Sequence, residues 1–316
     1  MLKYAAGRLL SALPVLLIVS LMSFAIVWIV PGDVASEMAG PTATAEELAQ
    51  LRDRLGLNKP WPDQLLGWYG ALAVGDLGQS ILLRQGVGAA ILERLPVTLS
   101  LTFLALAIAL VLGTALGVLA AVRAGQGADR VAMGAALIGF SVPDFWLGLV
   151  LMYVLAVQLA WLPTGGFVPF SQDPLGWLRF MVLPAGTLAL SQMGLFARMT
   201  RAAMLEVLRQ DYVRTARAKG MPGWVVIGKH AFRNALIPVV TVAGIASGVL
   251  LGGAVVIEQV FSLPGVGRLI IGAIQRRDYP VIQGGLLLTA TIFVLVNLAV
   301  DLLYAWLDPR IRHGRG

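Results

Sequence analysis

The sequence predicts an all-α integral membrane protein with about six transmembrane helices, and three observations support that fold class. Of the 316 residues, 58% are hydrophobic and only 13% are charged, which is about half the charged share of an ordinary soluble domain. The mean hydropathy is +0.81, so the chain has more apolar surface than one soluble core could cover. The apolar residues also fall into runs of about 20, the length at which a helix crosses a bilayer.

Six runs are long and apolar enough to span a membrane. They cover residues 9–30, 97–122, 131–155, 180–197, 235–257 and 281–307. Pro143 interrupts the third run. Because proline lacks a backbone donor and clashes with the preceding turn, we expect a kink there. A break into two shorter helices is the alternative.

The basic residues predict that both termini lie in the cytoplasm. With that orientation, 15 of the 24 Lys and Arg residues fall on the cytoplasmic side, in the shorter total stretch of chain. Membrane proteins accumulate Lys and Arg in their cytoplasmic loops. The same rule accounts for the net charge of +7. No basic run is interleaved with aromatic residues, so we expect no nucleic acid as a partner. The apolar runs predict the lipid bilayer as a partner.

The loops divide the chain into three predicted parts. Residues 1–96 form an N-terminal spanning helix and an extracytoplasmic loop with short amphipathic helices. Residues 97–309 form a five-helix core with a cytoplasmic loop over 198–234, and residues 310–316 form a cytoplasmic tail.

The outer loop carries a helix start signal and a stop signal. Thr44 and Glu47 have the spacing of a capping box, and Gly56 is placed to end the helix. The apolar and aromatic residues of 61–69 suit a second helix, lying at the membrane surface.

The segment 211–220 of the inner loop is short, basic and compatible with a helix. Ala216 and Gly220 lie four residues apart, which predicts one helical face where small side chains let another backbone approach. Arg214 and Arg217 supply charge around that face. Two interpretations stay open: a rigid helix gripped by a cytoplasmic partner, or a basic loop bound to water or lipid headgroups.

Residues 211–238 resemble the conserved cytoplasmic loop of permeases in binding-protein-dependent ABC importers, specifically the peptide/nickel branch. The general pattern is Glu-Ala-Ala, three residues, Gly, nine residues, then Ile-x-Leu-Pro. Here 214–216 occupy the first three places, Gly220 the glycine place, and 230–233 the last four. The Glu, Ile, Leu and Pro of the general pattern are absent, as they are in the peptide/nickel branch.

Six further segments resemble the family in the same order along the chain. They are PGD at 31–33, GDLGQS at 75–80, FSVPDFWLG at 140–148, LGGAVVIE at 251–258 followed by PGVGR at 264–268, RDYPVIQ at 277–283, and DPRIR at 308–312. The resemblance therefore covers nearly the whole chain.

The resemblance implies a type I ABC importer permease of the bacterial inner membrane, working with separate chains. The short loop helix would dock into a cytoplasmic ATPase subunit. The implied coupling residues are Asp211, Arg214, Thr215, Ala216, Arg217, Gly220 and Arg233. Two ATPase subunits would bind ATP and Mg, so this chain would have no catalytic residue and no cofactor of its own.

The implied assembly also contains a homologous second permease, in a pseudo-symmetric heterodimer, and an extracytoplasmic substrate-binding protein. The cargo would be di- or oligopeptides, with nickel or glutathione as alternatives within the branch. With no cysteine and two histidines, the chain offers no site made of several thiolates or imidazoles.

Glycines in the fifth run are candidates for helix packing or for lining the pathway. Gly244, Gly248 and Gly252 recur every four residues, which favours close helix packing and leaves the pathway role open.

Two carboxylates lie in apolar stretches, where functional roles are common. We favour structural roles for both. Asp144 suits a cap for a helix that restarts after Pro143, and Asp301 suits a pair with Arg310 or another cation of the tail.

Two other function classes remain as alternatives. An ion-coupled secondary transporter uses discontinuous helices and intramembrane charges, and Asp144 beside Pro143 is its best support. No convincing repeat relates the two halves, and the basic loop would lack a purpose. A membrane scaffold without transport is the other alternative.

Overall fold

The computed structural model describes residues 2–29, 34–39, 43–54 and 56–307. Within these ranges the regular elements are helices, apart from one antiparallel bridge between Gln79 and Gly86. The motifs at 31–33 and 308–312, with Arg310 and the tail 310–316, lie outside the described residues.

Most helices follow one another with short connections, and the two longest described connections are residues 74–86 and 159–173. In chain order they are α1 (Leu2–Ile29), α2 (Val34–Ala39), α3 (Ala45–Arg54), α4 (Trp61–Ala73), α5 (Val87–Val122), α6 (Gly127–Ser141), α7 (Asp144–Leu151), a π-helical segment (Met152–Gln158), α8 (Pro174–Leu208), α9 (Asp211–Ala218), α10 (Gly223–Val225), a second π-helical segment (Val226–Phe232), α11 (Arg233–Val260), α12 (Val266–Gln275) and α13 (Tyr279–Leu307).

Five helices of the described chain are long and apolar enough to cross a membrane. They are Gly7–Ile29, Val87–Val122, Pro174–Leu208, Gly223–Val260 and Tyr279–Leu302. Two of them extend well into the predicted loop 198–234, because residues 198–208 and 223–234 are helical. Arg, Lys, Glu and Met favour helices as well as water or interfaces. The change to polar residues therefore marks the end of an apolar run and not the end of a helix.

The third predicted span is broken rather than kinked. α6 and α7 are bent by 103° relative to each other. Pro143 is the N-cap residue of α7, and Val142 before it is extended, with φ −87° and ψ 129°. Proline disfavours the helical region for the residue that precedes it, so the helix stops and restarts there. If the bent pair counts as one crossing, the described chain has six spans.

The chain forms two compact units. Of the described residues, the first unit contains 2–9, 97–264 and 293–307, and the second contains the rest of 10–96 together with 265–292. Both the observed units and the predicted parts have a boundary between residues 96 and 97. The other boundaries of the observed units differ from the predicted ones. The division into 1–96, 97–309 and 310–316 stays a prediction.

α8 is the central helix of the first unit and packs against α6, α7 and α11. Its contact with α5 depends on glycine. A Cβ on Gly113 would lie 2.6 Å from Cβ of Phe196, and one on Gly117 would lie 2.6 Å from the carbonyl oxygen of Ala197. Real Cβ atoms do not approach so closely, so only glycine lets the two helices pack at this distance.

The second unit has a separate apolar core. The predicted capping box also lies in this unit. The backbone N–H of Thr44 donates to Oε2 of Glu47 at 2.9 Å, and the backbone N–H of Glu47 donates to Oγ1 of Thr44 at 3.3 Å. The backbone hydrogen bond first, and then the hydroxyl contact, lower the pKa of Glu47. The predicted stop is also confirmed, because Gly56 follows the helix with φ +68°.

The predicted glycine stripe of α11 has two different environments in the first unit. A Cβ on Gly244 would lie 2.6 Å from Cγ1 of Val300, and one on Gly248 would meet the ring of Phe293. A Cβ on Gly252 would meet nothing within 4 Å. Packing against α13 therefore accounts for the first two glycines, and the third faces open space.

We predict that Gly244→Leu destabilises the protein and Gly252→Leu does not. The first side chain would collide with Val300, and over-filling a packed contact costs about 1–3 kcal/mol. Thermal unfolding of the purified protein in detergent measures the difference. Equal midpoints for the two variants would contradict the packing role of Gly244.

Candidate functional site

The short helix α9 lies between the ends of two spanning helices and has defined stops on both sides. It follows α8 after two residues, and its last helical residue, Ala218, is followed by the C-cap Lys219 and then Gly220, whose φ is +75°. The N–H of Gly220 donates to the Arg217 carbonyl at 2.9 Å, and the N–H of Met221 donates to the Ala216 carbonyl at 3.3 Å. This is a Schellman C-cap, which needs a residue that tolerates positive φ. The predicted role of Gly220 as the end of the helix is confirmed.

One face of α9 is buried against its own chain. Val213 and Ala216 form a small apolar cluster with Val226 of the second π-helical segment. Val207 and Leu208, at the end of α8, pack against the same cluster. α9 is therefore attached to the ends of both neighbouring spans.

The structure corrects one expectation about this helix. Ala216 and Gly220 do not share an exposed face, because Ala216 is only 5% exposed whereas Gly220 is exposed. Gly220 lies beyond the last helical residue, where four-residue spacing no longer gives the same direction. The small residue on the exposed side is Ala218, which the sequence reasoning missed.

The outer face of α9 is polar and carries both signs of charge. Asp211, Arg214, Thr215 and Ala218 are exposed. Arg214 pairs with Asp211 at 3.5 Å between Nη1 and Oδ1, and Thr215 Oγ1 donates to the Asp211 carbonyl at 2.9 Å. An ion pair this exposed is worth little, so a partner can replace it at small cost.

Two other predicted coupling residues are also exposed. Arg217 lies beside the buried face, and Arg233 begins α11. Tyr212, which the sequence reasoning also missed, accepts a hydrogen bond at 3.0 Å from Nδ2 of Asn234, the second residue of α11. This contact is a further attachment of α9 to that helix.

A partly buried ion pair joins α8 to α6. Arg201 donates from Nε and Nη2 to the two carboxylate oxygens of Asp129, at 2.6 and 2.7 Å. The N–H of Gly125 donates to the same carboxylate at 2.9 Å. Two parallel hydrogen bonds fix the relative orientation of the partners as well as their distance. No local sequence pattern indicates this pair, whose members lie 72 residues apart.

The two intramembrane carboxylates have environments that differ from the predicted ones. Asp144 is the first residue of α7, and its side chain makes no capping hydrogen bond because Pro143 holds the cap position. Its Oδ2 lies 3.9 Å from where a Cβ of Gly253 on α11 would lie. The predicted cap is therefore wrong.

Asp301 pairs with Arg8 of α1 at 3.0 Å between Oδ1 and Nη2, and so with the start of the chain. The predicted partner Arg310 lies outside the described residues. Asp301 therefore forms an ion pair with a cation of α1 and not, in the described part of the chain, with one of the tail. Its structural role stays a prediction.

We predict that Ala216→Phe detaches α9 and that Ala218→Phe does not. The first ring would over-fill the contact with Val226, at a cost of about 1–3 kcal/mol, whereas the second would extend into solvent. Hydrogen exchange of the amides in 211–219 should become about tenfold faster in the first variant alone. Equal exchange in both variants would contradict the buried face.

We also predict that Asp129→Asn lowers the thermal midpoint of unfolding by on the order of 5 °C. The substitution leaves the guanidinium of Arg201 without its ionic partner. Arg130→Gln is the matched control, because that neighbouring side chain is exposed. The double variant Asp129→Ala with Arg201→Ala should lose less thermal stability than the two single alanine variants lose together. Strict additivity would show that the pair contributes nothing.

Comparisons with known proteins agree with this architecture. The family model described as binding-protein-dependent transport system inner membrane component matches residues 113–313. The model of the corresponding N-terminal membrane component matches residues 1–102. Together they account for most of the chain.

Three relatives match over nearly their whole lengths. A putative peptide transport system permease protein of Brucella abortus is 49% identical, over 97% of this chain and 98% of the relative. The dipeptide transport system permease of Alkalihalophilus pseudofirmus is 43% identical, over 99% and 100%. The glutathione transport system permease of Escherichia coli O6:H1 is 44% identical, also over 99% and 100%.

A solved structure shares the fold. It is the MetNI methionine ABC transporter in inward-facing conformations, which is 22% identical with a TM-score of 0.55 and covers 67% of this chain and 93% of that one. The chain belongs to the family of binding-protein-dependent transport system inner membrane components, and it is a multi-pass protein of the bacterial inner membrane.

Proposed function

We propose that this chain is the membrane-spanning permease subunit of an ATP-driven importer of di- or oligopeptides, and that α9 is the helix on which a separate ATPase acts. The observation that carries the proposal is the construction of α9. Its inner face is fixed to the ends of two spanning helices, and its outer face presents charged and small side chains to solvent.

The attachments of α9 suit the transmission of force. A partner that pushes the outer face moves the end of α8 through Val207 and Leu208. The same push reaches the π-helical segment through Val226 and α11 through Tyr212. α9 therefore acts on two of the long spans at once.

The proposed orientation puts α9 and both termini in the cytoplasm, as the distribution of basic residues favours. Two ATPase subunits then bind ATP and Mg on that side, and this chain hydrolyses nothing and holds no cofactor. A homologous second permease completes a pseudo-symmetric pathway, and a binding protein on the opposite side delivers the cargo. Ala216 supports the docking helix from behind, and the contact itself is made by Arg214, Thr215 and Ala218.

The cargo is proposed from the names of the relatives. They are named for peptides, dipeptides and glutathione, and glutathione is itself a short peptide. A short peptide is therefore the shared chemistry. Nickel, the other alternative of the branch, has no support from these names.

The second candidate is an ion-coupled secondary transporter, which the break at Pro143 favours. Discontinuous helices with a nearby charge are typical of that class, and Asp144 stands at the restart. A secondary transporter would not use the exposed, charged outer face of α9, so the importer is the better proposal.

The test uses the absence of native cysteine. Ala218→Cys should crosslink to an ATPase subunit in the working assembly, and Ala216→Cys, buried on the other face of the same helix, should not. Failure of Ala218→Cys to reach any nucleotide-hydrolysing subunit would overturn the proposal.

Transport should respond in the same way. Ala218→Trp places an indole in the docking contact, and a clash of about 1–3 kcal/mol weakens docking roughly tenfold. Peptide uptake should fall by a similar factor while α9 keeps its hydrogen-exchange protection. Uptake that survives loss of the ATPase and collapses with a proton uncoupler would favour the secondary transporter.

A further inference from the structure

Asp144 lies at the broken span of the first unit and contacts two neighbouring helices. The side chain of Ser191 on α8 is its hydrogen-bond partner. Its Oδ2 also approaches α11, where it lies 3.9 Å from the position of a Cβ on Gly253. Within the described chain no Lys or Arg pairs with this carboxylate, whereas Asp129 pairs with Arg201. Asp144 therefore has a hydrogen-bond partner but no ionic partner in the described chain.

The depth of Asp144 in the membrane follows from its contact with Ser191. The charged residues of α8 on either side of Ser191 are Arg179 and Arg198, which lie about 18 and 10 Å away along the helix. The uncharged stretch between the two arginines is about 28 Å long, close to the roughly 30 Å thickness of the hydrocarbon core. Asp144 therefore lies well inside the core, where a carboxylate that faced lipid would be strongly unfavourable.

Two adjacent glycines of α11 leave room beside this carboxylate. A Cβ on Gly253 would lie 2.9 Å from Cδ1 of Leu188, so glycine lets α8 approach this part of α11 closely. The preceding residue, Gly252, is exposed, and a Cβ there would meet nothing within 4 Å. Asp144 is itself only partly covered. Gly252 therefore offers unfilled volume one residue from the contact between Asp144 and α11.

We propose that Asp144 binds the ammonium group of the peptide cargo inside the transport pathway, in the open volume over Gly252. This role depends on the import of short peptides proposed above. Dipeptides, longer peptides and glutathione differ in length and side chains, but each carries an α-ammonium group. A carboxylate binds such a group through charge-assisted hydrogen bonds, and the hydrogen bond with Ser191 helps to fix its orientation.

The surroundings of Asp144 suit a cation that binds and then leaves. A carboxylate has about four lone-pair positions, and one hydrogen bond with Ser191 leaves most of them available. A single carboxylate also holds a cation less firmly than a site with several charges, and a transported species must bind weakly enough to be released. Asp144 is the first residue after the break at Pro143, so a change in the angle between α6 and α7 would alter this site.

The first test measures the charge of the open volume, and it uses the absence of native cysteine. Gly252→Cys in the intact assembly is treated during ATP turnover with a cationic and an anionic methanethiosulfonate of similar size. The mass of this chain reports the reaction. We expect the cationic reagent to react about tenfold faster, because the carboxylate raises the local concentration of cations. The preference should disappear in the double variant with Asp144→Asn, and saturating dialanine should slow the reaction.

The second test measures uptake of dialanine by proteoliposomes that contain the whole assembly and saturating binding protein. Asp144→Asn keeps the size of the side chain but removes its charge, so uptake should fall about tenfold. Asp144→Glu keeps the charge and should retain most of the uptake. Gly252→Leu fills the open volume and should also lower uptake, although its thermal midpoint of unfolding stays that of the wild type.

Three results would overturn this role of Asp144. If Gly252→Cys reacts with neither reagent, the position faces lipid or a partner helix. If it reacts equally with both reagents, the carboxylate does not attract a cation there. Uptake at the wild-type rate by Asp144→Asn, in an assembly that still requires ATP, would refute the site but leave the importer intact. Wild-type uptake that does not require the ATPase would instead refute the importer.

Discussion

The structure depends on one constraint, which is that lipid offers no hydrogen bonds to a backbone. Every N–H and C=O inside the bilayer must be satisfied within the chain, so the apolar runs form helices. Those helices continue beyond the apolar runs, because lengthening an existing helix adds one hydrogen bond for each residue that is ordered. Residues 198–208 and 223–234 are accordingly helical, and this gives the short helix α9 two rigid ends against which to pack.

Within the first unit, helix contacts depend on shape more than on hydrophobicity, since lipid tails are as apolar as leucine. Gly113 and Gly117 let α5 approach the backbone of α8, and Gly244 lets α11 approach Val300. Polar groups then fix the register. Thr98 donates to the buried carboxylate of Glu258 at 2.6 Å. Close packing holds the helices as rigid bodies, and rigid bodies are what a docking helix at their ends can move.

Features that depend only on neighbouring residues could be predicted from the sequence. The capping box of Thr44 and Glu47 and the stop at Gly220 follow from a few adjacent residues, and both are confirmed. Pro143 predicted an interruption, but the bend of 103° depends on what α6 and α7 pack against, which is not local information. The sequence could have predicted which face of α9 is buried. Val213 is its one strongly apolar side chain, and Ala216 lies three residues further on the same face.

Ion pairs between residues far apart in the chain could not be predicted from the sequence. Asp129 and Arg201 stand far apart in the chain at the edges of apolar runs, and each resembles an ordinary interfacial charge until the fold brings them together. Their position completes a physical path from the docking helix into the membrane. α9 rests on Val207 and Leu208, Arg201 lies about two turns earlier on α8, and its bidentate contact reaches the first turn of α6. α6 in turn leads to the break at Pro143. A push on α9 therefore reaches the broken helix pair through a charged contact that fixes both distance and orientation.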